Sequence, residues 1–343
     1  MNLDFKEDTF MVSQQFKNEN RNLLLTGGTG FFGKALLRYW MNLLPNERPK
    51  MVTVLSRDPS RFLSDYPEFQ NLEWLKFIQG DVCIAESLPN SANFTDILHA
   101  AADSTHGGEL KLVDRFDQIV SGTRNMLNYA VKSGANRFLL TSSGGVYGRQ
   151  PPEIQRFKED YCGMPDPLNC GNAYSVAKRT AEHLCALFAQ SHKIDVVIAR
   201  CFAFVGPDLP LDVHFAIGNF IRDALERDEI TVSGDGTAIR TYLDQYDLAL
   251  WLDNLILKGR PGHAYNVGSD KQISIAELAK LVRDLLSPNK QVRILGKAEA
   301  NNFVRSRYVP DIEKVRNELG LEVVTSLEQS ILATAQIAQQ RLK

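Results

Sequence analysis

The sequence predicts an α/β fold, a doubly wound parallel sheet followed by a smaller C-terminal substrate-binding lobe. Two observations carry that expectation. Up to residue 200, short apolar runs alternate with helix-length amphipathic segments, as in parallel strands joined by helical crossovers. After Arg200 the segments shorten, turn clusters such as Gly206-Pro207 and Ser233-Gly234-Asp235-Gly236 appear, and the alternation becomes irregular. A chain of 343 residues is long for one core. The division expected is a polar arm at 1–20, a main domain at 21–200 and a lobe mainly at 201–343, with 240–270 partly returning to the main domain.

Composition narrows the function classes. Hydrophobic residues make up 44% and charged residues 23%, and the net charge is −2 without a basic block, so neither nucleic acid nor an anionic membrane is an expected partner. No apolar run approaches the roughly 18 residues of a membrane span. The start, Met1-Asn2-Leu3-Asp4, leads into acidic residues where an export signal would be basic. Five scattered cysteines lack metal-type spacing and read as reduced thiols, so a cytoplasmic enzyme without a metal is expected.

The first strand, 22–26, runs into Gly27-Gly28-Thr29-Gly30-Phe31-Phe32-Gly33, and a helical pattern covers 34–44. Glycines at 27, 30 and 33 permit a tight turn, close approach of a pyrophosphate to the backbone, and close helix–strand packing. Gly27, Gly30, Phe31, Phe32 and Gly33 are therefore candidate dinucleotide contacts, with helix amides facing the phosphates. The second strand, 51–58, places Ser56 and Arg57 toward the adenosine ribose. An acidic residue there would bind the 2′-hydroxyl of NAD, whereas arginine suits a 2′-phosphate, so NADP is the expected cofactor and NAD the alternative. In that alternative Arg57 stacks on adenine or is a solvated loop charge.

The third strand, 74–79, closes in Gly80-Asp81-Val82, where Asp81 accepts the adenine amino group or caps a turn. The fourth, 94–98, ends in His99-Ala100-Ala101-Ala102, whose small residues leave room for the nicotinamide half. A long helix at 110–133, a fifth strand at 138–141, a helix at 171–191 and a sixth strand at 195–199 complete the domain.

Tyr174 and Lys178 lie one turn apart on one face of the 171–191 helix. A nearby ammonium favours the phenolate, so this pair can exchange a proton with an alcohol while a hydride leaves or arrives at the same carbon. Alone, the same spacing also describes an amphipathic surface helix.

The full set resembles the extended short-chain dehydrogenase/reductase family, the Rossmann-fold nucleotide-sugar epimerases and dehydratases. The matching pieces include Thr26-Gly27-Gly28-Thr29-Gly30-Phe31-Phe32-Gly33, Ser142-Ser143-Gly144-Gly145-Val146-Tyr147-Gly148, Tyr174-Ser175-Val176-Ala177-Lys178 and Arg240-Thr241-Tyr242-Leu243. They stand in the family's order from residue 22 to about 320. The resemblance implies that Tyr174 is the acid/base, that Lys178 holds the nicotinamide ribose, and that Ser143 bonds the sugar 4-oxygen. It implies that Arg240 clamps the diphosphate of a nucleotide-diphosphate sugar and that Arg305 or Arg307 provides a second phosphate contact. His214 falls where the family's substrate loop passes, and the helices 110–133 and 171–191 match a pair that forms a four-helix homodimer contact.

Departures from the family pattern narrow the reaction. Dehydratases usually carry acidic residues just after the catalytic serine or threonine, and decarboxylases commonly keep a glutamate there. Gly144 and Gly145 offer no such group. The expected reaction is therefore 4-epimerisation or 4-keto reduction, which needs only hydride and O–H proton transfer. The alternatives are a 4,6-dehydratase that draws Asp103, His106 or Glu109 from the 103–109 loop, and a non-catalytic cofactor-binding scaffold. Ala203, where relatives have asparagine, removes one polar substrate contact.

Overall fold

The computed structural model describes residues 20–90, 93–102, 111–213, 215–296 and 306–341. The main domain runs β1 (Asn22–Thr26), α1 (Phe31–Met41), β2 (Met51–Ser56), α2 (Pro59–Asp65), β3 (Leu75–Gln79), β4 (Asp96–His99), α3 (Leu112–Ser133), β5 (Arg137–Ser143), α4 (Ala173–His192) and β6 (Asp195–Cys201). Then follow β7 (Phe204–Val205), α5 (Ala216–Glu226), β8 (Glu229–Val232), β9 (Ile239–Arg240), β10 (Leu243–Asp244), α6 (Gln245–Lys258), β11 (Ala264–Val267), β12 (Ile273–Ser274), α7 (Ile275–Leu286), β13 (Gln291–Ile294), α8 (Glu313–Leu319) and α9 (Leu327–Arg341).

The expected doubly wound sheet is present, with seven parallel strands in the order β11-β6-β5-β4-β1-β2-β3. Its strands are apolar on both sides because both faces are covered. Trp40 of α1 and Trp251 of α6, both fully buried, pack on one face, and Ile119, Met126 and Ala181 of α3 and α4 pack on the other. At the amino-terminal edge, buried Arg21 pairs with Asp96 at 3.3 Å and Asp253 at 3.5 Å. The strand order reverses between β1 and β4, so a crevice opens at their carboxyl ends, where such sheets take ligands.

A third core joins α5, β8, α7 and α9 around Phe220, Ile221, Leu278 and Ile331. This lobe is tied to α1 by Asp208, which is 4% exposed. Its carboxylate meets Lys34 at 3.3 Å, Arg341 at 3.3 Å, and also Arg38.

Several boundaries differ from the sequence pattern. Helix α1 begins at Phe31 because Gly30 caps it, three residues before the amphipathic stripe at 34. Strand β5 extends to Ser143 because Ser142 and Ser143 pair with Arg200 and Cys201 of β6. Ser143 is thus the last rung of a ladder, not a loop residue. Helix α4 begins at Ala173, after a separate turn at Cys170–Asn172 capped by Asn169.

Candidate active site

The crevice between β1 and β4 is shaped by glycines. Gly27 has φ +72, and a Cβ there would stand 2.6 Å from the Ala100 carbonyl carbon. A Cβ at Gly33 would stand 2.2 Å from Gly28 Cα, so α1 packs directly on the turn. At Gly30 the nearest atom to a Cβ is Gly27 O at 3.4 Å, which leaves the backbone open to a close neighbour. Among the described residues no side chain caps α1, so its first-turn amides remain available to an anion. Phe31 and Phe32 stand in that first turn, with the Phe32 ring edge-on to Phe204 at 5.1 Å. This cradle fits a dinucleotide pyrophosphate.

The flanking candidates are arranged around it. Ser56 ends β2, and Arg57 follows it, exposed. Asp81 accepts from Cys83 N at 2.9 Å through one oxygen, so it caps its turn and keeps the second oxygen. The Val82 carbonyl accepts from Asn125. Ala100 and Ala101 are latched to β1 by Thr26, through its carbonyl and its hydroxyl respectively, each at 3.2 Å. Ala102 packs against the α3–α4 core. Between them, buried His99 bonds Thr26 Oγ1 at 2.7 Å. Burial and the Lys178 charge bring the imidazole down to about 3, so it is neutral.

Ser143, Tyr174 and Lys178 converge at the β5–α4 junction. The half-buried Tyr174 phenol is pushed above its ordinary value by burial and by Tyr308, while contact with Ser143 opposes that shift. Lys178 is 3% exposed, donates to Thr141 O at 2.8 Å, and stands 5.9 Å from the Tyr174 ring centre. Burial brings its ammonium down to about 8. Ser143 Oγ accepts from Gly145 N at 3.0 Å, which leaves its proton free to donate. The space beside Ser143 is closed. A Cβ at Gly144 would lie 2.7 Å from both Phe202 Cζ and Tyr308 Oη, and one at Gly145 would lie 2.5 Å from Ser175 Oγ.

The second lobe brings Arg240 and Arg307 to one strand edge. Arg240 donates to Ile239 O at 2.8 Å and Ser306 O at 3.1 Å; Arg307 donates to Gln272 Oε1 at 2.7 Å. A separate cavity of about 770 Å³ between α5 and β8 is lined by Asn219, Arg222, Asp223, Arg227, Thr231 and Ser233. His214 and Arg305 lie outside the described residues, as do Asp103, His106 and Glu109. Sequence reasoning missed Tyr308, whose place depends on a pairing of Arg307 with Ile239 that no local pattern announces. It also missed Glu182, although its position one turn beyond Lys178 on the same helix face was a readable signal.

Fold and crevice together define a dinucleotide-binding α/β enzyme. The model of the NAD dependent epimerase/dehydratase family matches residues 23–268. This chain belongs to that family, is an enzyme that modifies nucleotide sugars, and uses NAD(P). UDP-glucuronic acid decarboxylase 2 of Arabidopsis thaliana is 34% identical over 95% of this chain and 70% of its own length. UDP-glucuronic acid decarboxylase 6 of the same plant is 29% identical over 93% of this chain and 89% of its own. Among solved structures, the UDP-glucose 4-epimerase of Thermotoga maritima superposes with TM-score 0.78 at 21% identity, over 94% of this chain and all of that one, a likeness of fold. Among the described residues, no helix is long and apolar enough to cross a membrane.

Proposed function

We propose that the protein is a nucleotide-sugar 4-epimerase or 4-ketoreductase that works at one carbinol carbon. The carrying observation is the closed space beside Ser143, where Gly144 meets Phe202 and Tyr308 and admits no side chain to move a proton at carbon. In this reading Tyr174 takes the proton of the sugar 4-hydroxyl, or returns it. Ser143 donates to the same oxygen and stabilises the charge that develops there without changing its own. Lys178, cationic beside Tyr174, favours the phenolate and has donors left for a ribose hydroxyl. The nicotinamide, when bound, supplies the hydride acceptor and donor. Gly27, Gly30, Gly33, Phe31 and Phe32 hold the pyrophosphate, Ala100 to Ala102 border the nicotinamide half, and Ser56, Arg57, Asp81 and Val82 border the adenosine. Arg57 favours NADP over NAD. Arg240 and Arg307 face the substrate diphosphate.

A second reading is supported by the names of the curated relatives, UDP-glucuronic acid decarboxylases. Oxidation of a hexuronate at C4 gives a β-keto acid, which loses carbon dioxide without a carbon base. The same serine, tyrosine and lysine would serve it. The test is incubation with UDP-glucose, UDP-glucuronic acid and other nucleotide sugars, and with 4-keto nucleotide sugars plus NADPH, for wild type and Tyr174→Phe. Epimer or 4-hydroxy product from wild type and none from the variant is expected. Carbon dioxide from UDP-glucuronic acid selects the second reading, and unchanged turnover in Tyr174→Phe removes both.

We also propose a homodimer through α3 and α4, on which Leu112, Val113, Val131 and Leu187 are exposed. A sedimentation mass of one chain would overturn it.

A further inference from the structure

The peptide that opens α1 is held by a side chain of α6, 214 positions away. Gln245, 4% exposed, is the first residue of α6. Gly206 makes room for its stem, since a Cβ there would stand 2.3 Å from Gln245 Cβ. The Gln245 amide reaches three groups. Oε1 accepts from Asp208 N at 3.0 Å, and Nε2 donates to Asp208 Oδ2 at 2.8 Å and to Phe31 O at 3.3 Å. A backbone N–H only donates and a carbonyl only accepts, so these neighbours dictate which way the amide faces. Asp208 is itself fixed by Lys34, Arg38 and Arg341. Phe31 is the first residue of α1, and Lys34 N donates to Gly30 O at 2.9 Å. The amides of Phe31, Phe32 and Gly33 therefore stand ahead of the helix ladder.

We propose that Gln245 is a positioning residue for the dinucleotide: it holds the Phe31-Phe32 peptide so that the Phe32 amide meets the pyrophosphate. This role rests on the cofactor placement proposed above. The Phe31 carbonyl and the Phe32 N–H belong to one peptide plane, so fixing the oxygen fixes the direction of the N–H. That oxygen has two lone pairs; the helix ladder uses one, and Nε2 takes the other. A hydrogen bond on the oxygen also polarises the peptide and makes its N–H a stronger donor to an anion. Packing is a separate matter. Phe204 of β7 lies against both phenylalanine rings, with centroids 6.5 Å from Phe31 and 5.1 Å from Phe32. Those ring contacts persist without the Gln245 amide, and only the peptide is released.

Gln245→Met keeps the length of the stem and removes the amide; Gln245→Glu keeps an acceptor for Asp208 N and removes both donors. Asp208→Asn is the control, because it loosens the same ion-pair cluster and leaves Nε2 at Phe31 O. Calorimetric titrations with NAD, NADP and UDP make the measurement. Both Gln245 variants should raise the Kd of NAD and NADP alike, about three- to tenfold, the range of one hydrogen bond, with UDP within about twofold. In Asp208→Asn all three should stay within about twofold. Unchanged NAD and NADP affinity, an equal loss for UDP, or an equal loss in Asp208→Asn overturns the proposal. A spectroscopic reading isolates the peptide itself. Phe31-Phe32 is the only pair of adjacent phenylalanines in the sequence, so phenylalanine isotope-labelled at its carbonyl carbon and nitrogen gives a single carbonyl–amide correlation. In Gln245→Met the Phe31 carbonyl carbon and the Phe32 amide proton should both move upfield, and unmoved resonances overturn the proposal. If NAD leaves this correlation in place in the wild type, the cofactor is not at the glycine turn and that placement fails. A correlation that NAD moves, beside Gln245 variants with wild-type affinity, sinks only this inference.

Discussion

Ser142 donates to Glu182 at 2.6 Å, and this contact ties the strand end that carries Ser143 to the helix that carries Tyr174 and Lys178. Glu182 also receives Arg200 at 2.8 Å, and Arg200 reaches Tyr147 Oη at 3.0 Å, which in turn donates to Asn266 at 2.7 Å. One carboxylate therefore sets the spacing of β5, β6 and α4 at the point where Ser143, Tyr174 and Lys178 meet.

Glu182→Ala leaves Arg200, whose side chain is 15% exposed, without its counter-charge. Removing one partner of a buried pair costs about 3–5 kcal/mol, so denaturant midpoints should fall clearly and turnover with them. Glu182→Gln keeps an oxygen for Ser142 and should lose less of both. Equal stability of the alanine variant and wild type would show that the network holds nothing in place.

A second prediction concerns Asp208. Burial alone would raise its carboxyl, but Lys34 and Arg38 outweigh burial and hold it below its ordinary value. A depressed carboxyl contributes stability above the unfolded-chain value and loses it as pH falls through the folded one. Asp208→Asn should therefore cost about 3 kcal/mol at neutral pH, and the difference from wild type should shrink on acidification. Urea titrations at pH 7 and at pH 3, below the ordinary carboxylate value of 3.8, make the comparison, and a pH-independent difference would contradict it.

His99 works in the same direction, over a higher pH window. Its folded-state value, about 3, lies below the ordinary 6.5, so between those values the unfolded chain binds a proton that the folded chain refuses. Stability then falls as pH drops below 6.5, by up to about 1.4 kcal/mol per unit from this group. His99→Gln, which retains one donor and one acceptor for Thr26 and Thr123, should flatten the acid side of the stability curve. Parallel curves for the two proteins would mean that His99 does not titrate there.

What the sequence makes readable follows from how local each signal is. The strand at 22–26, the glycine turn and the helix after it are contiguous, so fold class and cofactor crevice follow from neighbours in sequence. Tyr174 and Lys178 are one helical turn apart and readable for the same reason. Ser143 was identified by its motif, but its rigidity comes from pairing with Cys201, 58 positions away, which no window contains. Asp208 carries no local signal after Gly206-Pro207, because its partners Lys34, Arg38 and Arg341 stand on distant helices. The pairing of β8 with β13 in the second lobe was invisible in the same way, since both are four-residue strands separated by the whole of α6 and α7.

Cofactor choice gives the last prediction. Arg57 is exposed at the carboxyl end of β2, and its backbone carbonyl is held by Gln79 Nε2 at 3.2 Å. A charge-assisted bond to a 2′-phosphate is worth about 1.5–3 kcal/mol, or roughly ten- to a hundredfold in affinity. Arg57→Ala should therefore raise the Kd of NADP by at least that lower bound and leave NAD nearly unchanged, measured by calorimetric titration of the purified protein. If both dinucleotides weaken alike, the guanidinium stacks on adenine, a contact common to the two. In that case NAD is the resident cofactor and an epimerase, which returns its hydride within one turnover, is favoured over a reductase that must exchange NADPH.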